Sequence, residues 1–220
     1  LAPPAPRVSS RCSPPRGAQA VLAFVVLVLL ILPLSGKWRI RVLLEGDTGV
    51  FVGIERPDWA SVQALLLTRQ SVYGATSSTV SVASGRLSFA LGLQGPCLSI
   101  DSACSSAMTA LHFGASAVRA DECNISLAGG TGLKIVPTVT LSTSAAGMLS
   151  ADGRCKTFDA RANGYMRTES VCAVSLTLAN GVGVKLASSG VRQDGRSASL
   201  TAPNGSAQRR LLLTVWSLGG

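Results

Sequence analysis

Apolar residues along this chain fall into short runs separated by small and polar residues, and the period changes from run to run. Val50-Phe51-Val52-Gly53-Ile54 is continuous and rich in β-branched residues, which predicts a strand buried on both faces. Asp58 is placed to cap a helix carrying Trp59, Val62, Leu65 and Leu66. Val80–Leu93 mixes apolar and small residues and predicts a helix ending at Gly92 or Gly95. Cys97–Asp101 predicts a strand, bounded by Gly95-Pro96. Ser105–Arg119 predicts a helix with Met108, Leu111, Ala115 and Val118 on one face, at steps of three and four. Asn124–Ala128 predicts a strand closed by a tight turn at Gly129-Gly130-Thr131-Gly132. Residues 145–168 carry the turn signals Asp152-Gly153 and Asn163-Gly164 and are expected to be loop. Val171–Leu176 and Val182–Ser188 predict two more strands. A last helix would be capped by Ser206, with Ala207, Leu211, Leu212 and Val215 inward. Strands alternating with helices imply a layered α/β domain.

The front of the chain follows another pattern. Residues 1–17 are rich in Pro, Ser and Arg and are expected to be unstructured. An unbroken apolar run from Ala20 to Leu32 follows, within a hydrophobic segment at 18–36. Its length lies between a signal-peptide core and a membrane-spanning helix, so signal or anchor is the expectation and a buried core helix or a foreign stretch the alternative. Membrane contact through 18–36 would follow from the first; without it the expected location is cytoplasmic.

Composition narrows the class. With 47% apolar and 14% charged residues, the chain is not intrinsically disordered. The formal charge of +9 suggests nucleic acid, but residues 1–41 hold six basic side chains and no acid, leaving only +3 for the other 179 residues. Nucleic-acid binding is therefore not expected. Six cysteines (12, 97, 104, 123, 155 and 172) form no C-x-x-C pair and match no zinc spacing. Cys97, Cys123 and Cys172 lie in or beside apolar runs, where reduced, buried thiols are the expectation. The sequons at Asn124 and Asn204 read as chance matches. Asp152, Arg154, Lys156, Asp159, Arg161 and Arg167 form a mixed-charge stretch, either a solvated surface or structural ion pairs.

The chemistry concentrates in Ser99-Ile100-Asp101-Ser102-Ala103-Cys104-Ser105-Ser106-Ala107-Met108, which predicts strand, tight turn and helix with Cys104 at the turn. The unpaired N–H groups and dipole of a helix start favour a thiolate there and can receive the oxyanion formed at an acyl carbon. Small neighbours leave room for substrate. His112, the only histidine, lies eight residues further along the same helix, roughly 12 Å along its axis. It is out of reach for proton transfer with the thiol and is read as a packing or hydrogen-bonding residue.

Asp101-Ser102-Ala103-Cys104-Ser105-Ser106 followed by Ala110-Leu111-His112 resembles the active-site signature of β-ketoacyl synthases, the condensing domains of polyketide and fatty-acid synthases. Further segments resemble the same family in order. They are Thr48–Gly53, Gly85–Phe89, Leu93–Pro96, Ala128–Gly130, Ala146–Ser150, Asp152–Asp159, Gly164–Arg167 with Glu169, Gln193–Arg196 and Leu200–Gly205. The resemblance covers about residues 48–213, expected to form a partial β-ketoacyl synthase domain. The implied fold is thiolase-like layered α/β/α, incomplete, comprising the later part of the first half and the start of the second.

The resemblance implies that Cys104 accepts an acyl chain from acyl carrier protein for decarboxylative condensation with a malonyl thioester. It implies no metal or organic cofactor, phosphopantetheine arriving on the carrier, and a homodimer formed near Cys97–Ile100. Several features depart from the pattern. Residues 1–47 do not resemble the family's N-terminal portion, and the two histidines of its HGTGT-type and NIGH-type motifs are not among these 220 residues. Arg167-Thr168-Glu169-Ser170 stands where Arg-Gly-Glu-Gly is usual, and Ala151 replaces a common proline. Acylation without condensation is therefore expected of this chain alone. The alternative from another class is a non-catalytic, membrane-tethered dimerisation partner of a complete synthase.

Overall fold

The computed structural model describes residues 47–55, 58–65, 76, 79–178, 184–200 and 202–219. The 1–17 and 18–36 segments and Leu66 lie outside these residues. Among the described residues, no helix is long and apolar enough to cross a membrane.

The continuous apolar run becomes β1 (Thr48–Ile54), the most deeply buried strand. It pairs in parallel with β2 (Cys97–Ile100) on one side and with β3 (Ile125–Gly132) on the other. Antiparallel β4 (Ser170–Thr177) completes a sheet of order β2-β1-β3-β4. Alternate side chains of β1 point into two separate apolar clusters. Val50 and Val52 pack with Leu87, Leu93 and Leu127. Phe51 packs with Ala110, Ala117, Val118, Cys123 and Ala128. Leu87 comes from α2 (Ala83–Leu91), and Ala110, Ala117 and Val118 come from α3 (Ser106–Arg119). One helix on each face makes the α/β/α layering that buried parallel strands require. The remaining helices are α1 (Asp58–Leu65), α4 (Thr138–Ala145) and α5 (Gly205–Gly219).

Several expectations change. The glycine-rich Gly129–Gly132 segment is not a turn but the second half of β3, paired residue by residue with β1 and β4. Gly130 stands beside Gly53 in the register. A Cβ built on Gly53 would lie 2.4 Å from the Ser106 carbonyl carbon, and one on Gly130 would lie 2.6 Å from the Ala107 Cβ. The two glycines form a shallow floor on which the first turn of α3 rests. Glycine was selected for close approach, not for reversal.

Residues 184–188 form no strand, and 182–183 lie outside the described residues. On α3 the inward face is Ala110, Gly114, Ala115, Ala117 and Val118, while Met108 is 68% exposed. The helix approaches the sheet so closely that only small residues fit, and the Ser126 hydroxyl donates to the Gly114 carbonyl at 2.9 Å. Cys123 is buried, whereas Cys97 and Cys172 are exposed on the two edge strands; all five described cysteines are free. Asp58, in the first turn of α1, also reaches across the fold: its Oδ2 accepts the N–H groups of Ile135 and Val136 at 3.0 and 3.1 Å. For α5 the cap is Asn204, whose Oδ1 accepts the N–H groups of Ser206 and Ala207. Ala207 is buried, but Leu212 faces outward at 70% exposure.

Candidate active site

Parallel β2 runs directly into the turn that carries Cys104. Asp101 Oδ1 accepts the Ala103 N–H at 3.1 Å and closes a tight Asx turn. Ala103 sits at φ +55°, a left-handed conformation that costs a non-glycine residue about 1–2 kcal/mol. One 3₁₀ turn, Ala103–Ser105, then leads into α3. Three serines hold this geometry. The Ser102 N–H donates to Ser106 Oγ at 2.9 Å, Ser106 Oγ donates to the Ala103 carbonyl at 2.7 Å, and Ser105 Oγ donates to the Ser102 carbonyl at 2.8 Å. With the Gly53–Gly130 floor under Ser106 and Ala107, the turn is fixed from above and below. Cys104 rides on it, exposed, between strand end and helix start. Cys123 makes the contrast: burial pushes its thiol pKa up.

His112 is turned away from this chemistry. Its Nδ1 lies 2.9 Å from Ser189 Oγ, and its ring stands edge-on to Phe113 with centroids 5.6 Å apart. It tethers α3 to the segment after residue 184, the hydrogen-bonding role its position suggested; Ser189 carried no signal in the sequence.

An open groove of about 1000 Å³ adjoins the turn. One wall is Ser102, Ser105 and Thr109, and the other runs from Val191 to Pro203. Cys104 itself is not among the lining residues; its two serine neighbours are. The sequence signalled Gln193–Arg196 and Leu200–Gly205 as motifs, but not that they would face the turn carrying Cys104.

The mixed-charge stretch is a clasp, with both alternatives partly realised. Tyr165 donates its N–H to the Met148 carbonyl at 3.1 Å and accepts the Ser150 N–H at 3.0 Å. Lys156 Nζ reaches Asp152 at 2.8 Å and Asn163 Oδ1 at 2.9 Å, and the Ser150 hydroxyl bonds both Asp152 and Asn163. Arg161 pairs with Asp159 at 2.8 Å, and Arg167 approaches Glu55 at 3.5 Å. Glu169 Oε1 accepts the Lys134 N–H at 2.7 Å.

The hydrogen bond from Lys156, then that from Ser150, holds Asp152 at about 2 against an ordinary 3.8. A depressed carboxylate pKa stabilises the fold above the unfolded value, and that contribution disappears as pH falls through the folded one. The clasp is therefore expected to loosen between about pH 4 and pH 2. Lys156→Met should move the Asp152 titration, followed by carboxyl-carbon NMR, up toward 3.8. An unchanged titration would show that the lysine is not its cause.

The sequence profile of the β-ketoacyl synthase N-terminal domain matches residues 35–180. The chain belongs to the β-ketoacyl synthase family. This ketosynthase chain is 42% identical over 177 residues to the phenolphthiocerol synthesis polyketide synthase type I Pks15/1 of Mycobacterium marinum, covering 77% of its own length and 8% of that protein's. It is 38% identical over 181 residues to erythronolide synthase EryA2 of Saccharopolyspora erythraea, covering 79% of its own length and 5% of the relative's. Among solved structures, the module 6 ketosynthase of the bacillaene synthase from Bacillus subtilis 168 superposes with a TM-score of 0.65 at 29% identity. The oxazolomycin ketosynthase domain OzmH KS7 of Streptomyces albus JA3453 superposes with a TM-score of 0.69 at 29% identity. Each superposition covers 82% of this chain and 31% or 33% of the neighbour. The layered sheet is thus part of a thiolase-like ketosynthase fold.

Proposed function

We propose that the chain carries the acyl-accepting half of a polyketide-type condensing reaction, with Cys104 as the nucleophile. The observation that carries this is the exposed Cys104 on a strained, serine-tied turn at the start of α3. The thiol loses its proton, the thiolate sulfur attacks the carbonyl carbon of an acyl thioester, and a tetrahedral oxyanion forms. That charge would fall to backbone N–H groups near the helix start other than those of Ser102, Ala103, Ser105 and Ser106, which already donate within the turn. Collapse of the intermediate forms the Cys104 thioester and breaks the donor's carbon–sulfur bond; the departing thiolate takes up a proton. Acyl carrier protein is the proposed donor, presenting the acyl group on phosphopantetheine. No metal or organic cofactor enters this step. Condensation with a malonyl thioester, which the family resemblance assigns to two histidines, is not assigned to His112, whose Nδ1 lies against Ser189 Oγ.

Assembly as a homodimer fits the same reading. Among the described residues β2 is an edge strand, and its Leu98 is 42% exposed, which suits pairing with a second copy. The membrane-tethered, non-catalytic alternative draws no support from the described residues, and a structural partner has no use for an exposed thiol on a strained turn.

Incubation with a short acyl thioester, followed by peptide mass spectrometry, tests the proposal. One acyl group on Cys104, absent in Cys104→Ala and not transferred to Cys97, Cys155 or Cys172, is expected. An unlabelled Cys104, or equal labelling of all exposed cysteines, would overturn it.

A further inference from the structure

The clasp between residues 148 and 165 holds a reactive pair that acyl transfer does not use. Asn163 is followed by Gly164, so no side chain shields the next amide nitrogen from the Asn163 carboxamide. Both residues are exposed to water. Two donors converge on one atom of that carboxamide: Lys156 Nζ lies 2.9 Å from Asn163 Oδ1, and the Ser150 hydroxyl lies 3.0 Å from it. Asp152 bonds both donors and fixes them there. The Lys156 side chain is only 19% exposed, so its charge is weakly screened. At the other end of the carboxamide, Nδ2 has no hydrogen-bond partner among the described residues, and neither has the Gly164 N–H. Asn204-Gly205 is the same dipeptide in a different setting. Asn204 Oδ1 accepts the N–H groups of Ser206 and Ala207, and its Nδ2 donates to the Asp194 carbonyl at 2.8 Å. Asn204 is thus held at both ends of its amide, and Asn163 at its oxygen alone.

We propose that Asn163-Gly164 is a site of self-modification, with Lys156 and Ser150 as its oxyanion donors. The Gly164 nitrogen gives up its proton to water and attacks Asn163 Cγ. As the nitrogen–Cγ bond forms, the carbonyl electron pair moves onto Oδ1, where the Lys156 ammonium and the Ser150 hydroxyl receive the charge. Collapse breaks the Cγ–Nδ2 bond, and ammonia departs after taking up a proton from water. A cyclic succinimide remains. Water then opens it at either carbonyl, leaving aspartate or an isoaspartate whose main chain is longer by a methylene. The longer chain displaces Tyr165 from Met148 and Ser150, so the clasp carries its own route to opening.

The test incubates the full chain in mildly alkaline buffer and follows each asparagine by peptide mapping, with isoaspartyl methyltransferase labelling to mark the isomer. Asn163 should convert about tenfold faster than Asn204, and the gap should close in denaturant, where neither setting exists. Lys156→Met should slow Asn163 by about tenfold without changing Asn204, and Lys156→Arg, which keeps a cationic donor, should restore most of the rate. Asn163 converting no faster than Asn204 in the folded chain would overturn the proposal. So would an unchanged or faster Asn163 in Lys156→Met, since the lysine would then restrain the carboxamide and not assist the attack. Hydrogen exchange at the Tyr165 amide should accelerate in step with isoaspartate formation, and an amide still protected in the isoaspartyl chain would overturn the opening of the clasp. None of these readouts depends on Cys104.

Discussion

Gly53→Ala is expected to remove about 3 kcal/mol or more of folding stability, a large share of the roughly 5–15 kcal/mol typical of a domain. The added Cβ would sit 2.4 Å from the Ser106 carbonyl carbon, 2.5 Å from the Ala107 nitrogen and 2.6 Å from the Ser106 oxygen. All three are backbone atoms and cannot rotate away, so either α3 lifts off the sheet or β1 bows. Both movements disturb the Phe51–Ala110–Val118 cluster. Both also shift the turn that carries Cys104, two residues before Ser106. Thermal unfolding reads the stability loss, and the alkylation rate of Cys104 in the folded fraction reads the displacement. Gly85→Ala is the control with opposite sign. It lies within α2 with nothing within 4 Å of the added Cβ, so it should raise stability by up to about 1 kcal/mol. An unchanged melting temperature for Gly53→Ala would remove the glycine floor from the account of how the turn is held.

The same floor explains what the sequence could and could not disclose. β1, β2, α2 and α3 were legible because each combines a clear period with a local stop signal, and the turn at Cys104 was legible because it is local in sequence. Gly129–Gly132 was misread because a glycine run signals a turn unless a partner demands close approach, and that partner, Ala107, is distant in sequence. Asp58 and Asn204 illustrate the same limit. Asp58 has the chemistry of a cap, but its Oδ2 is bonded to Ile135 and Val136, 77 and 78 residues away. Asn204 stands two residues before the serine that pattern alone would choose. α4, rich in Thr and Ser, carries almost no helical signal; Thr143 and Ser142 return their hydroxyls to the Val139 carbonyl. The exposed Leu212 and Met108 departed from the expected faces because helical period fixes which residues share a face, not how wide the buried stripe is. The wall of the groove that carries Arg192 and Arg196 was invisible for a related reason. Arg196 was noted within a motif and Arg192 was not, and only the fold brings the two opposite Ser102 and Thr109.

Gly164→Ala is expected to open the clasp between residues 148 and 165. Two independent penalties act there. Gly164 has φ +130°, a conformation that costs an L-residue about 1–3 kcal/mol. The added Cβ would also lie 2.5 Å from the Leu149 carbonyl carbon and from the Ser150 nitrogen. Relief requires separating the Met148–Ser150 strip from Tyr165, which breaks the paired Tyr165–Met148 and Ser150–Tyr165 backbone hydrogen bonds. Asn163 would move with it and release Lys156 and Ser150 from their shared acceptor. A combined cost of about 3 kcal/mol should lower the melting temperature by roughly 6–12 °C for a chain of this size. Gly153→Ala separates the two penalties, since its φ of +63° is strained for alanine but nothing lies within 4 Å of the new Cβ. It should show only about 1 kcal/mol of loss. Hydrogen exchange at the Ser150 and Tyr165 amides should accelerate in Gly164→Ala and remain slow in Gly153→Ala. Equal exchange in the two variants would mean that conformational strain alone, and not the tight seat against Leu149 and Ser150, is what glycine relieves at position 164.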